Sequence, residues 1–399
     1  MQVAGGIATL LSTVWLGKVL GPELQGSFSQ TKATVEFGAA VCAMGLPQTL
    51  YAYVQSKRMN LREAAYWARL SGLLGLPVGG LLAWWSLRAD SWSWTFAVSI
   101  AVMLCAWHAH ARALTLLAPS ATKFGLVTFL PQGLLLLLAA WLVMQKGASQ
   151  AAWTMGMGAT WAVGAVMARS ALLAIGNARG VETRDVVFVG ASELFGHSLW
   201  LWISVVLASG SVVMWQGFAA TSGDAILGSL TLALLIAQVP STLLAYGVPL
   251  MLRYRLSDES GDSERVSRYT VWLVVPMVGA AAIVWIVGYM WRDHLGMGRG
   301  YVDLHWLISM LLLAACADGG LRLMGVDAQA EWKPWRIALA ECTRLLLLVV
   351  GIGLSRSWLG ELSASTLAMI WLVSAWGAWL CFWLAARRGA GSPRDYSPL

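Results

Sequence analysis

Residues 17–29 read GKVLGPELQGSFS, and residues 45–47 read GLP. Both motifs return in outline about two hundred residues later. Gly21, Gly26, Ser27, Gly45 and Pro47 have counterparts 202 residues on, in Gly223, Gly228, Ser229, Gly247 and Pro249. A second register relates Arg112 and Lys123 to Arg322 and Lys333, at an offset of 210. The chain therefore reads as two related halves, the second carrying about eight extra residues before its fourth helix. Duplication within an apolar chain is the plan of transporters built from structural repeats.

The rest of the composition agrees with a membrane-embedded chain. Of 399 residues, 58% are hydrophobic and only 12% charged, with a mean hydropathy of +0.66. A soluble protein carries roughly twice that share of charge, about 25%. The 24 tryptophans include Trp84, Trp85, Trp92 and Trp94 at the ends of apolar runs, where an amphipathic ring suits the headgroup zone. The five cysteines, Cys42, Cys105, Cys316, Cys342 and Cys381, all fall in apolar segments without CxxC spacing. That argues against a disulfide framework and against a zinc site. The first apolar run ends in LGKVLGPE rather than a small-residue cleavage site, so no cleaved signal peptide is expected.

Apolar runs of about 20 residues, the length that crosses a core of roughly 30 Å, predict an all-α polytopic protein. About twelve transmembrane helices are expected, near 2–20, 31–54, 66–87, 92–114, 124–144, 151–174, 196–218, 225–250, 269–290, 304–325, 335–354 and 363–386. With the N-terminus inside, 19 of the 27 lysines and arginines fall on the cytoplasmic side, 7 fall outside, and Arg344 lies within a span. This bias places both termini in the cytoplasm and accounts for the net charge of +7 without nucleic acid. Six helices per half make the repeats parallel. The expected units are an N-terminal lobe over 1–175, a polar linker and amphipathic lead-in over 176–195, a C-terminal lobe over 196–386 and a disordered cytoplasmic tail over 387–399.

Ionisable residues inside a membrane are functional candidates by default. Arg344 stands about nine residues into its span, or ~13 Å at 1.5 Å per residue, with Glu341 one turn earlier as a partner. It can bind an anionic substrate or form a structural ion pair. His108 with Arg112, and Asp318 with Arg322, are i,i+4 pairs that the 210-residue register superposes. They can form a basic gate, or snorkel to headgroups. Lys18 and Lys32 flank an expected turn between the first two helices, and Glu36 can pair with Lys32 or take up a coupling cation. His197, four residues after Glu193, can sense pH. Gly45, Pro47, Gly247 and Pro249 would kink helices 2 and 8 as hinges or as static bends.

The run LGKVLGPELQGSFS, followed by GLPQTLYAYV, resembles the start of the polysaccharide and O-antigen flippases. These belong to the multidrug/oligosaccharidyl-lipid/polysaccharide exporter superfamily. The residues that carry the likeness are Lys18, Leu20, Gly21, Gly26 and Gly45 to Pro47. The resemblance implies a V-shaped bundle with a central cavity, and places Lys18 and Lys32 near its mouth. It implies export of an undecaprenyl-diphosphate-linked oligosaccharide across a bacterial inner membrane, beside a polysaccharide polymerase and a chain-length regulator. The same architecture also suits a cation-coupled exporter of small amphipathic molecules.

A third reading is a membrane-embedded enzyme of glycolipid metabolism. No GxxxxGK[ST] motif offers a nucleotide site, and no nucleophile–base arrangement appears in a loop. No enzymatic activity, cofactor, metal or nucleic-acid partner is expected; the partners are the substrate and membrane lipids.

Overall fold

The computed structural model describes residues 2–118, 121–144, 150–178, 189–241, 251, 278–290, 301, 303–330, 333–360 and 362–388. They form α-helices joined by short connections, with no strand among them. Five helical stretches are each long and apolar enough to cross a membrane, including Ser198–Ser222 and Trp335–Leu359.

The first half holds α1 (Gln2–Ala43), α2 (Leu46–Gln55), α3 (Leu61–Leu73), α4 (Gly75–Trp85), α5 (Trp92–Leu114), α6 (Ala121–Met144) and α7 (Gln150–Ala178). The second holds α8 (Ala191–Ser222), α9 (Asp224–Ala237), α10 (Val278–Met290), α11 (Leu304–Ala330), α12 (Trp335–Leu359) and α13 (Ala364–Arg388).

The decisive stretch folds more tightly than its sequence suggests. A turn is expected over 21–30, yet α1 breaks only at Gly21, with φ 75° and ψ 174°. Helix resumes at Pro22, where a missing N–H costs nothing and φ is already preset. Glycine is needed at the break because the backbone enters a region that a Cβ disfavours. The related position behaves alike: Gly223 has φ 125° and separates α8 from α9 without a loop. The two breaks sit together. A Cβ on Gly26 would lie 2.9 Å from Leu227 Cγ, and one on Gly228 would lie 2.0 Å from Pro22 O. Residues one repeat apart thus cross backbone to backbone, a closeness that only small residues permit.

A second break joins α1 to α2, where Met44 and Gly45 both have positive φ. Pro47 stands in the first turn of α2, and the Thr49 hydroxyl donates to Gly45 O at 3.1 Å. The expected kink in the second span is present; its counterpart at Gly247 and Pro249 lies outside the described residues.

Each half has its own core. In the first, Phe28 stacks on Trp153 at 5.1 Å, among Val35, Val98, Val102 and Met157. In the second, Trp215 and Trp371 meet at 5.1 Å, and Trp215 Nε1 donates to Leu367 O. Helix α8 belongs to both. Its C-terminal half carries Trp215 and Ala219 into the second core, while Leu194 packs with Leu46, Leu50, Leu114 and Phe124 of the first half. Tyr53 donates to Glu193, and Trp202 Nε1 donates to Val41 O at 2.9 Å. Within the amphipathic lead-in expected over 186–194, helix begins at Ala191, with Ala191 to Glu193 exposed and Leu194 buried.

Candidate functional site

Among the described residues, two charged constellations stand out, one in each lobe. In the first lobe, Lys32 Nζ lies 2.8 Å from Glu36 Oε1, the i,i+4 pairing expected from the sequence. The Glu36 side chain stays 46% exposed. It opens into a cavity of about 300 Å³ walled mainly by the first half. The wall includes Ala39, Ala40 and Ala43 of α1, Gln48 and Tyr51 of α2, and Cys105, Ala109, Arg112 and Ala113 of α5. Phe124 of α6 joins them, and the second half contributes Val205 of α8 and Gln329 of α11. Gly45 and Pro47 line it too, so the α1–α2 kink shapes the wall.

In the second lobe, Arg344 of α12 is buried and holds two carboxylates. Its Nη2 donates to Asp318 Oδ1 of α11 at 2.5 Å. Its Nε lies 3.3 Å from Glu341 Oε2, close enough for charge attraction but without the alignment of a hydrogen bond. The guanidinium also stands 5.9 Å from the centre of the Trp371 ring. One guanidinium faces two carboxylates here, and Arg322 also lies within electrostatic reach of Glu341. Two carboxylates buried side by side give the cluster the means to take up a proton.

The structure thus joins some sequence candidates and separates others. Arg344 and Glu341 are together, but the stronger bond goes to Asp318. Asp318 turns to α12 rather than to Arg322 one turn along, and Arg322 is exposed. The His108–Arg112 pair is also split: His108 Nε2 lies 3.3 Å from Val127 O of α6, whereas Arg112 lines the cavity. Lys18 is exposed on α1, and His197 stands early in α8.

Sequence reasoning missed the neutral polar residues on α1. Gln150 Nε2 donates to Ser27 Oγ, while Thr31 donates to both Gln150 Oε1 and Ser27 O. Ser27 reads as part of a turn, but it lies in helix and accepts from α7, and the Thr31 hydroxyl bonds back along the same helix and across to α7. The five cysteines are free, and among the described residues no group of His, Cys, Asp and Glu could hold a metal ion.

By sequence, no family model and no curated protein matches this chain. Solved structures do match. One is a transporter of the MOP superfamily from Pyrococcus furiosus, described as having a binding pocket of reversed polarity. It shares 13% identity at a TM-score of 0.62, over 97% of this chain and 93% of that one. The Vibrio cholerae MATE transporter VcmN in its bent form aligns at 15% identity and a TM-score of 0.56, over 97% and 95%. The eukaryotic MATE transporter AtDTX14 aligns at 14% and 0.58, over 97% and 92%.

The fold is that of the MATE transporters. These have twelve transmembrane helices in two repeats, which is the architecture the 202-residue register calls for. The likeness reaches the superfamily's architecture and does not single out its polysaccharide branch.

Proposed function

We propose that this chain exports small amphipathic molecules through the cavity that Glu36 faces, by alternating access and at the expense of a cation gradient. The observation that carries this reading is the cavity itself. The first half builds most of its wall, Val205 and Gln329 of the second half complete it, and one half-exposed carboxylate, Glu36, opens into it. Its volume of about 300 Å³ is at the lower end of small-molecule pockets, about 300–1,000 Å³. The alanine rows and the aromatic rings of Tyr51 and Phe124 suit an apolar body. The paired carboxylates of the Asp318–Glu341–Arg344 cluster suit a coupling proton, whose uptake would change how α11 and α12 hold together.

A second reading has its own support. Export of an undecaprenyl-diphosphate-linked oligosaccharide draws on the resemblance of the first 55 residues and on Arg112 in the cavity wall. Arg344, the strongest sequence candidate for the diphosphate, has its charge engaged by Asp318 and Glu341. That favours the small-molecule reading.

Expression in a host stripped of its own efflux pumps tests the two together. The wild-type chain should lower accumulation of small amphipathic dyes, and collapse of the ion gradient should restore it. Glu36→Gln at matched protein level should abolish the effect. If dyes are untouched while the chain restores surface glycan to a flippase-deficient strain, the second reading replaces the first.

A further inference from the structure

The charges of the cavity wall are arranged along its length. On α1, Glu36 and Ala43 both face the cavity and stand seven residues apart, a rise of ~10 Å. On α5, Cys105 and Arg112 do the same. The levels match across the two helices. Val35 and Ala39, on either side of Glu36, pack with Val102 and Ala106, on either side of Cys105, whereas Leu114, two residues past Arg112, packs with Leu46, Leu50 and Tyr51. Glu36 therefore marks one end of the cavity and Arg112 the other. Between them the wall carries Ala39, Ala40 and Ala109, and the other polar groups of the lining, Gln48, Tyr51 and Gln329, are uncharged.

We propose that the cavity selects zwitterions, molecules with an amine that meets Glu36, an anionic group that meets Arg112 and an apolar body spanning the ~10 Å between. This rests on the small-molecule reading above and narrows it. Lys32 takes one oxygen of Glu36 and stands outside the lining. A carboxylate has about four acceptor sites on two oxygens, so the cavity-facing edge can receive a second donor. A guanidinium offers five N–H donors and can hold a carboxylate beside its contacts within the lobe. A ligand of single charge strips water from both ends of the cavity and repays only one. A zwitterion of matching length repays both.

Binding to the purified full-length protein in nanodiscs distinguishes the possibilities, with three radiolabelled probes of equal chain length: ω-aminooctanoate, octylamine and octanoate. The zwitterion should bind about 10-fold more tightly than either singly charged probe, the ratio that one added charged hydrogen bond supports. Glu36→Gln should erase its advantage over octanoate, and Arg112→Gln its advantage over octylamine, with both variants monodisperse. The proposal is overturned if octylamine or octanoate binds as tightly as the zwitterion, or if the preference survives both substitutions. Octylamine bound and transported preferentially would overturn it while leaving the exporter reading intact. Failure of all three probes to bind monodisperse wild-type protein, together with no dye efflux in cells, would remove the exporter reading and this one with it.

Discussion

Arg344 is held in a low-dielectric surrounding by Asp318 and Glu341, and the same contact has opposite meanings for stability and for transport. Removing one partner of a buried ion pair costs about 3–5 kcal/mol, because the charge left behind has no compensation. Arg344→Leu leaves two carboxylates facing each other. It should lower the detergent-solubilised melting temperature far more than Asp318→Asn, which leaves Arg344 beside Glu341. Combining Asp318→Asn, Glu341→Gln and Arg344→Leu removes all three charges and should return most of the thermal stability, as read by fluorescence size-exclusion chromatography after heating. If the cluster carries the coupling ion, that stable triple variant should still fail to move dye. The sequence made Arg344 and Glu341 visible because they lie one turn apart. Asp318 was placed with Arg322 by the same rule of spacing, which knows nothing of the neighbouring helix. The bond from α11 to α12 spans 26 positions of sequence and is set by packing.

At the scale of elements, glycine positions decide where helices break and where they may touch. Gly45 combines both demands: φ is 68°, and a Cβ there would stand 2.4 Å from Ser198 O and 2.8 Å from Trp202 N. Gly223 shares only the first, with open space around its Cβ position. Gly223→Ala should cost the strain alone, about 1–3 kcal/mol. Gly45→Ala should cost clearly more, since α8 must also retreat from backbone atoms that cannot rotate away. Thermal melts of the two variants, side by side, test the ranking, and equal losses would show that the α2–α8 approach is not tight. The breaks were legible from Gly and Pro, but their lengths were not. In Pro-Glu-Leu-Gln-Gly-Ser, turn-forming residue types mask a helix whose Ser27 bonds to α7 and whose Gly26 touches α9.

For the whole molecule, the architecture was legible from hydrophobic run lengths and from the repeat register, both of which survive divergence because they record the membrane and the symmetry. Gly21 and Gly223 confirm the register by doing the same work, each ending one helix and starting the next. Topology remains to be measured. Reporters fused after Trp291 and after Ala386 should report opposite sides of the membrane, and agreement between them would displace the last helices. A central cavity was expected from the resemblance, but most of its wall was not legible, because it is gathered from several helices and much of it is alanine that reads as ordinary span.

Sharing α8 between two cores also bears on how the chain can be cut. With Leu194, Trp202 and Glu193 seated in the first half and Trp215 in the second, the covalent link over 179–188 is not what keeps the halves together. A protease site inserted there should give two fragments that still co-purify and melt as one. The converse should hold in biogenesis: a ribosome that stops before Ala191 releases a half whose α2–α5 surface lacks its cover, an orphan fit for degradation. The duplicated gene is therefore bound to remain one reading frame, or to supply both pieces in equal dose.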